Sequence, residues 1–145
     1  MTAAELMAKL KTDPEFQRRE SEKERLRLER QQEFEKTLQP YLRSLNSHGF
    51  KGESLQEIVK KNSPLSQQAV DILLTSLGAI SEPLPLESVV RALGASANPF
   101  DGRPLVRCFE ATNDDALKWA IVNTIVLSRP HSIDDWLSDI RKSAY

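Results

Sequence analysis

The side chains in this sequence best suited to chemistry are one cysteine, two histidines and two pairs of neighbouring aspartates. Cys108 would serve as a nucleophile if a histidine and an acid approached it in space. Its surroundings, Val106-Arg107-Cys108-Phe109, instead form one turn of an apolar helix face. We therefore predict that Cys108 is a buried small hydrophobic residue.

The histidines, His48 and His131, flank predicted helix ends and show none of the spacings typical of metal ligands. His48 lies at a helix C-terminus, where the helix dipole favours a protonated imidazole. The five glycines are isolated, so the chain has no glycine-rich phosphate loop. We predict no metal and no cofactor.

The paired aspartates, 114–115 and 134–135, both fall in the first turn of a predicted helix. Negative charge is favoured there by the helix dipole and the unpaired amides, so capping is the expected role rather than acid–base catalysis. With no assembled catalytic set, the sequence predicts a protein that is not an enzyme.

The composition of the chain further limits the class of protein to which it can belong. The 145-residue chain carries 20 Lys+Arg and 21 Asp+Glu, a net charge of −1, which disfavours a bulk nucleic-acid binder because such proteins usually have a basic excess. One cysteine excludes an intrachain disulfide, and five glycines weigh against an all-β fold. No apolar run resembles a secretory signal or a membrane span, so we expect a cytoplasmic protein.

The first 48 residues form a charged N-terminal arm with 10 of the basic and 9 of the acidic residues. Residues 13–15, Asp-Pro-Glu, predict a helix start. No apolar residue lies between Gln17 and Arg25, so the helix should be free at that end. Apolar residues return towards its C-terminal end, which should dock. We expect Pro40 to kink or divide the helix and Gly49 to stop it.

Residues 49–145 predict a separate domain of short helices and no strand. Its helices are expected near 54–61, 65–77, 86–94, 104–112, 115–128 and 133–140. Three start signals are specific: the capping boxes Ser54/Glu57 and Ser132/Asp135, and the dipeptide 63–64, Ser-Pro. The fold class is therefore all-α.

Apolar positions in the helix pairs 65–77/86–94 and 104–112/115–128 recur at roughly 31–36 residues, as in an α-solenoid. Residues 105–126 have an apolar first helix, an Asn-Asp turn at 113–114 and a Leu-Lys-x-Ala second helix. On these residues the chain resembles the HEAT/armadillo repeat family over about 64–142. The resemblance implies a short HEAT-like solenoid in which Asp114 and Lys118 form a polar ladder between repeats.

The leading hypothesis is a protein–protein interaction module, such as an adaptor, a scaffold or a bacterial immunity-type regulator, that uses a solenoid surface. We expect another protein as partner and no membrane, and the N-terminal helix offers a possible route to self-association. Both tryptophans lie on apolar stripes, so core packing is favoured over contact. The candidate partner contacts are nevertheless Arg18, Arg19, Arg25, Arg103, Arg107, Trp119 and Trp136.

Two alternatives stay open. The first is a nucleic-acid-binding or DNA-repair-type HEAT-like protein, for which Asp115, Arg103, Arg107, Lys118 and Trp119 supply the residue types. Interleaved glutamates on the arm would repel phosphates and weigh against it. The second alternative is a self-assembling structural protein in which the arm packs onto another copy.

Overall fold

The computed structural model describes residues 1–143, so the last two residues of the predicted 49–145 domain lie outside it. Within the described part the chain is all-helical, with no strand and only two isolated β-bridges. Its helices are α1 (Ala3–Thr12), α2 (Pro14–Ser47), α3 (Leu55–Asn62), α4 (Gln67–Leu77), α5 (Pro83–Leu93), α6 (Arg103–Ala111), α7 (Asp115–Ser128) and α8 (Asp134–Ser143). The all-α prediction is confirmed.

Helix α1 was not expected from the charge pattern, although the sequence contains its start signal. The Thr2 hydroxyl accepts from the Glu5 N–H at 3.1 Å, and the Glu5 carboxylate accepts from the Thr2 N–H at 3.1 Å. This reciprocal pair satisfies two backbone donors of the first turn. A Thr-x-x-Glu spacing therefore begins the helix in a segment whose composition alone is uninformative.

Helix α2 continues through Pro40, which neither ends nor divides it. A proline inside a helix removes one backbone hydrogen bond, and the rest of the ladder is sufficient here. The predicted stop is confirmed: Gly49 has φ 94°, and the Phe50 N–H reaches back to the Leu45 carbonyl at 2.9 Å. His48 Nδ1 lies 2.7 Å from the Ser44 carbonyl, at the helix C-terminus as expected.

The chain divides into two compact units, Met1–Lys36 and the part that begins at Thr37. No side chain in the first unit is buried. The predicted boundary at residue 48 lies later because Leu38 and Leu45, near the end of α2, are buried in the second unit. Hydrophobic burial thus places the end of the charged helix in the domain that follows it.

The core of the second unit comes from α2 to α7 and from the loops between them. Its most fully buried large side chains are Leu45, Ile58, Leu65, Leu73, Val89, Val90, Leu93, Leu105, Leu117 and Ile121. Helix α5 is central, since it contacts α3, α4 and α7, while α6 contacts α4 and α7.

Two β-bridges join loops that are distant in sequence. Ahead of α4, Leu65 exchanges backbone hydrogen bonds of 2.8 Å with Ala95 and Ala97, which follow α5. Ahead of α6, the Gly102 N–H bonds the His131 carbonyl at 2.8 Å, after the end of α7. Each bridge therefore ties the segment before one helix to the segment after the next.

The bridges explain two errors in the predicted helix starts. Helix α4 begins at Gln67 rather than after residues 63–64, because Leu65 is engaged in a bridge. Ser132 has φ 65° and α8 begins at Asp134, one residue too late for Ser132 to cap it. By contrast, the Ser54 hydroxyl accepts from the Glu57 N–H at 3.1 Å and caps α3 as expected.

Among the described residues, no helix has both the length and the apolar character needed to cross a membrane.

Candidate interaction surface

Helix α7 carries apolar side chains on two opposite sides. Its buried side is formed by Leu117, Ala120, Ile121, Thr124 and Ile125. On the opposite side, Trp119 and Val126 are 65% and 67% exposed, and Leu127, at the flank between the two sides, is 73% exposed. We call these three residues the α7 outer face. Trp119 and Val126 are two helical turns apart and share one side of the helix.

Local hydrogen bonds fix α7 at both ends. At its start, the Asp114 carboxylate accepts from the Leu117 N–H at 2.8 Å. At its end, Arg129 takes a left-handed conformation with φ 46°, and its N–H bonds the Ile125 carbonyl at 2.9 Å. The exposed side chains therefore stand on a rigid element, which lowers the entropy lost when a partner binds them.

Helix α5 holds the buried side of α7 in register. The Thr124 hydroxyl, which is buried, donates to the Val90 carbonyl at 2.9 Å. Just beyond α5, a Cβ at Gly94 would lie 3.5 Å from Leu127 Cδ1, so Leu127 borders the end of α5. The orientation of α7, and with it that of the outer face, is thus set by its contacts with α5.

The prediction that Trp119 packs in the core is wrong. Each residue advances a helix by about 100°, so Trp119 lies roughly opposite the mean direction of the buried residues of α7. Trp136 differs, because it is half-buried and its ring meets Phe109 edge-on at a centroid distance of 5.3 Å. Only Trp119 is available as a large exposed anchor.

Asp114 and Lys118 make local contacts in the described structure. Asp114 caps its own helix, and the Lys118 ammonium lies over the Phe109 ring, 5.2 Å from its centroid. The contact of Lys118 with Phe109 links α7 with α6. A polar ladder between repeats through Asp114 and Lys118 stays a prediction.

The arginines proposed as contacts fall into two groups. Arg18, Arg19 and Arg25 belong to the first unit, where Arg18 lies 3.8 Å from Glu15 and Arg25 bonds both Glu22 and Glu29. These pairs hold the pKa of the Glu22 carboxyl below its usual value through the Arg25 hydrogen bond. Arginines engaged in this way are poorly placed to neutralise phosphates.

Arg103 and Arg107, in the second unit, have different environments. The Arg103 guanidinium forms two-pronged bonds with Asp101 at 2.7 and 3.0 Å. These hydrogen bonds lower the pKa of Asp101 to about 2. For Arg107, the described residues include no ion-pair partner. Its positive charge also contributes to the lowered pKa of Asp101, less than Arg103 does.

The remaining candidates occupy structural positions. Cys108 is half-buried, its thiol lies 3.9 Å from the Leu77 carbonyl, and burial raises the pKa of the thiol. His131 joins a β-bridge through its backbone. Within residues 1–143, no three His, Cys, Asp or Glu side chains converge as metal ligands would. Asp114 caps a helix, and Asp115, Asp134 and Asp135 lie in first turns, as predicted.

The sequence reasoning missed Val126 and Leu127, because apolar residues were assigned to the core. A signal was present, since α7 has more apolar positions than one buried side can accommodate. Leu84, at the start of α5, is a further exposed apolar residue at 63%.

Comparison of the chain with protein-family models, curated proteins and solved structures gives no match. Inference about its role therefore depends on the geometry described above.

Proposed function

We propose that this chain is a non-catalytic protein–protein interaction module that binds another protein through the α7 outer face. The observation that carries the proposal is the exposure of Trp119, Val126 and Leu127 on one ordered helix. Tryptophan is strongly enriched among residues that dominate binding energy, and neighbouring aliphatic side chains exclude water around it. An apolar surface on the partner is the complementary chemistry.

A short solenoid is the architecture that we propose for the second unit. Helices α3, α5 and α7 contact in succession, and α4 contacts α6, which is the order expected for stacked helix pairs. The second β-bridge repeats the first about 35 residues later, within the range of helical repeats. The HEAT-like resemblance agrees with this arrangement.

A repeated hydrogen bond also supports stacked pairs. The Thr124 hydroxyl on α7 bonds a carbonyl near the end of α5, and the Cys108 thiol on α6 faces the last carbonyl of α4. In both cases a helix completes the C-terminus of the helix two positions earlier. If the pairs stack, α7 belongs to the last complete pair, and its outer face is the site where a partner would continue the stack.

An adaptor or immunity-type regulator in the cytoplasm fits this proposal. The single cysteine has a raised thiol pKa, so it stays protonated at neutral pH, and nothing in the fold requires an oxidising compartment.

Site-specific photo-crosslinking in cells that naturally produce the protein tests the proposal. A benzophenone amino acid replaces Val126 on the outer face or, as the control, Asp71 on the exposed side of α4. We expect one discrete protein adduct from position 126 and none from position 71. Adding Trp119→Ser should reduce the adduct by about tenfold or more, because Trp contacts often dominate an interface.

The mass of the adduct separates the alternatives. An adduct with twice the mass of this chain would indicate self-assembly, and an adduct sensitive to nuclease would indicate a nucleic acid. Either result, or equal crosslinking from both positions, contradicts the proposal. Circular dichroism of Trp119→Ser should match the wild type, since the side chain is mostly exposed.

A further inference from the structure

A cavity of about 590 Å³ opens between α4, the start of α5 and α6. Leu74, Leu77, Ile80, Leu86 and Pro104 form its apolar wall. Volumes of about 300–1,000 Å³, mostly apolar with a few polar groups, are typical of small-molecule sites. The cavity contains no residue of α7 and is therefore separate from the outer face.

The described side chains that line the cavity carry positive charge and no negative charge. Among the described residues that line the cavity, Arg107 is the only charged one, and no aspartate or glutamate accompanies it. No described carboxylate forms an ion pair with Arg107. Its neighbour Asp101 is already bound to Arg103 in a two-pronged pair. The cavity therefore offers a guanidinium whose N–H donors are available to a ligand.

The hydroxyl of Thr112 adds a second donor. Its oxygen accepts from the Asp114 N–H at 3.1 Å, so its own proton is not used in that bond. The Thr75 hydroxyl instead donates to the Asp71 carbonyl at 2.9 Å. Two donors, Arg107 and Thr112, thus stand at the edge of an apolar wall, and they match an anionic oxygen acceptor.

We propose that this cavity binds a small amphipathic carboxylate, with the carboxylate on Arg107 and the apolar body against Leu77, Ile80 and Leu86. A carboxylate gains two parallel hydrogen bonds from a guanidinium, which a neutral group of the same shape does not. Leu77, Ile80 and Leu86 are buried, so the apolar body replaces water at a preformed wall. Either an aliphatic chain or an aromatic ring would supply such an apolar body.

Cys108 gives a direct readout, because it lines the cavity and is the only cysteine of the chain. Alkylation of the full-length protein by N-ethylmaleimide is followed with octanoate or 3-phenylpropanoate present. The matched neutral probes are 1-octanol and 3-phenylpropanol. We expect saturable protection of Cys108 by at least one carboxylate, at concentrations where its alcohol protects about tenfold less well.

Arg107→Gln and Arg129→Gln form the matched pair of variants. Both remove one exposed guanidinium from the second unit, but only Arg107 lines the cavity. Arg107→Gln should weaken carboxylate protection by about tenfold and leave alcohol protection unchanged, whereas Arg129→Gln should leave both unchanged. The Arg107 charge acts to lower the pKa of Cys108, so its removal also changes the reactivity of the thiol. Each alkylation rate is therefore divided by the alkylation rate of the same variant without ligand.

Amide NMR shifts provide a second measurement that does not depend on thiol reactivity. Octanoate or 3-phenylpropanoate should shift Gly78 and Thr112, at the cavity, more than Asn123 on α7. Protection by neither carboxylate, equal protection by carboxylate and alcohol, or an unchanged effect in Arg107→Gln would overturn the proposal. Crosslinking from position 126 is a separate result, so failure of one inference leaves the other testable.

Discussion

At the scale of single residues, the side chain of Thr124 satisfies a carbonyl that a helix end leaves unpaired. The last carbonyls of a helix have no partner within it. In α5, the Gly94 N–H bonds the Arg91 carbonyl at 3.1 Å rather than continuing to Val90. Thr124 donates to that Val90 carbonyl from α7. A buried polar side chain thereby completes a helix terminus and fixes the register of two helices.

Thr124→Val tests this bond, because valine keeps the shape of threonine and removes its donor. We expect a loss of about 1–3 kcal/mol in the free energy of unfolding, since the buried Val90 carbonyl is left unpaired. Urea denaturation followed by circular dichroism measures it. Thr124→Ser is the control and should retain the hydrogen bond while losing one methyl group. Equal stability of Thr124→Val and the wild type would contradict the assignment.

Asp101 and Arg103 predict a pH dependence. The Arg103 hydrogen bonds lower the pKa of Asp101 from 3.8 to about 2. A depressed pKa in the folded state stabilises the protein above the unfolded pKa, and this contribution is lost as the pH falls from about 4 to 2. Asp101→Asn should therefore be less stable than the wild type at neutral pH, and the difference should be lost as the pH falls below about 2.

Urea midpoints at several pH values measure this difference. The effect should be small and should shrink in high salt, because Arg103 is largely exposed and Asp101 is only partly buried. Glu110→Gln, which removes an exposed carboxylate from α6, is the control for the loss of a carboxylate outside the ion pair. A difference between Asp101→Asn and wild type that persists at low pH would show that the ion pair is not its source.

At the scale of elements, close packing of loops sets where helices begin. Gly102 precedes α6 and is buried where the segment after α7 passes it. A Cβ there would lie 2.5 Å from Ile133 Cγ2 and 3.0 Å from Pro130 side-chain atoms. The chain thus needs glycine at this position for space, since its φ of −84° suits any residue.

Gly102→Ala should lower the free energy of unfolding by about 1–3 kcal/mol, the usual cost of overpacking. Gly78→Ala is the matched control, because the nearest atom to its Cβ is 3.9 Å away and its φ is −80°. We expect Gly78→Ala to stay within about 1 kcal/mol of the wild type. Chemical denaturation measures the free energy of unfolding of both variants. Similar losses of stability in the two would argue that overpacking at Gly102 is not the cause.

At the scale of the whole molecule, the two units have different sources of order. The first unit has no buried side chain, and its helices are supported by caps and by Glu–Arg pairs such as Glu24 with Arg27 at 2.6 Å. Such exposed pairs contribute little to stability, because water and salt screen them. The second unit has a continuous apolar core. Cooperative unfolding should therefore belong to the second unit.

A chain that begins at Thr37 tests this division. We expect its thermal midpoint to lie within about 4 °C of the full chain, the shift that about 1 kcal/mol causes in a domain of this size. A peptide of residues 1–36 should be helical in part and lose helix content in high salt, as exposed ion pairs are screened. Differential scanning calorimetry measures the thermal midpoint of the shortened chain, and circular dichroism measures the helix content of the peptide. Loss of a cooperative transition in the shortened chain would refute the division.

Local signals in the sequence determined the helical class and most helix positions. The Ser54 cap, the Gly49 stop and the Asp114 cap act within a few residues, so they are legible without a tertiary structure. The helix formers of α2 likewise predicted the stretch that cannot be buried, but the expectation that Pro40 would kink or divide the helix did not predict its full length. These features depend on hydrogen bonds and spacing along one element.

Only the tertiary structure decided which apolar side chains stay exposed. Trp119 and Ile121 both lie in the apolar helix α7, yet the packing of α5 buries Ile121 and leaves Trp119 exposed. Leu65 likewise lies in a bridge rather than a helix because Ala95 and Ala97 offer it partners from a distant loop. Contacts between elements far apart in sequence leave no fixed spacing in the chain, and they determine both the α7 outer face and the cavity beside Arg107.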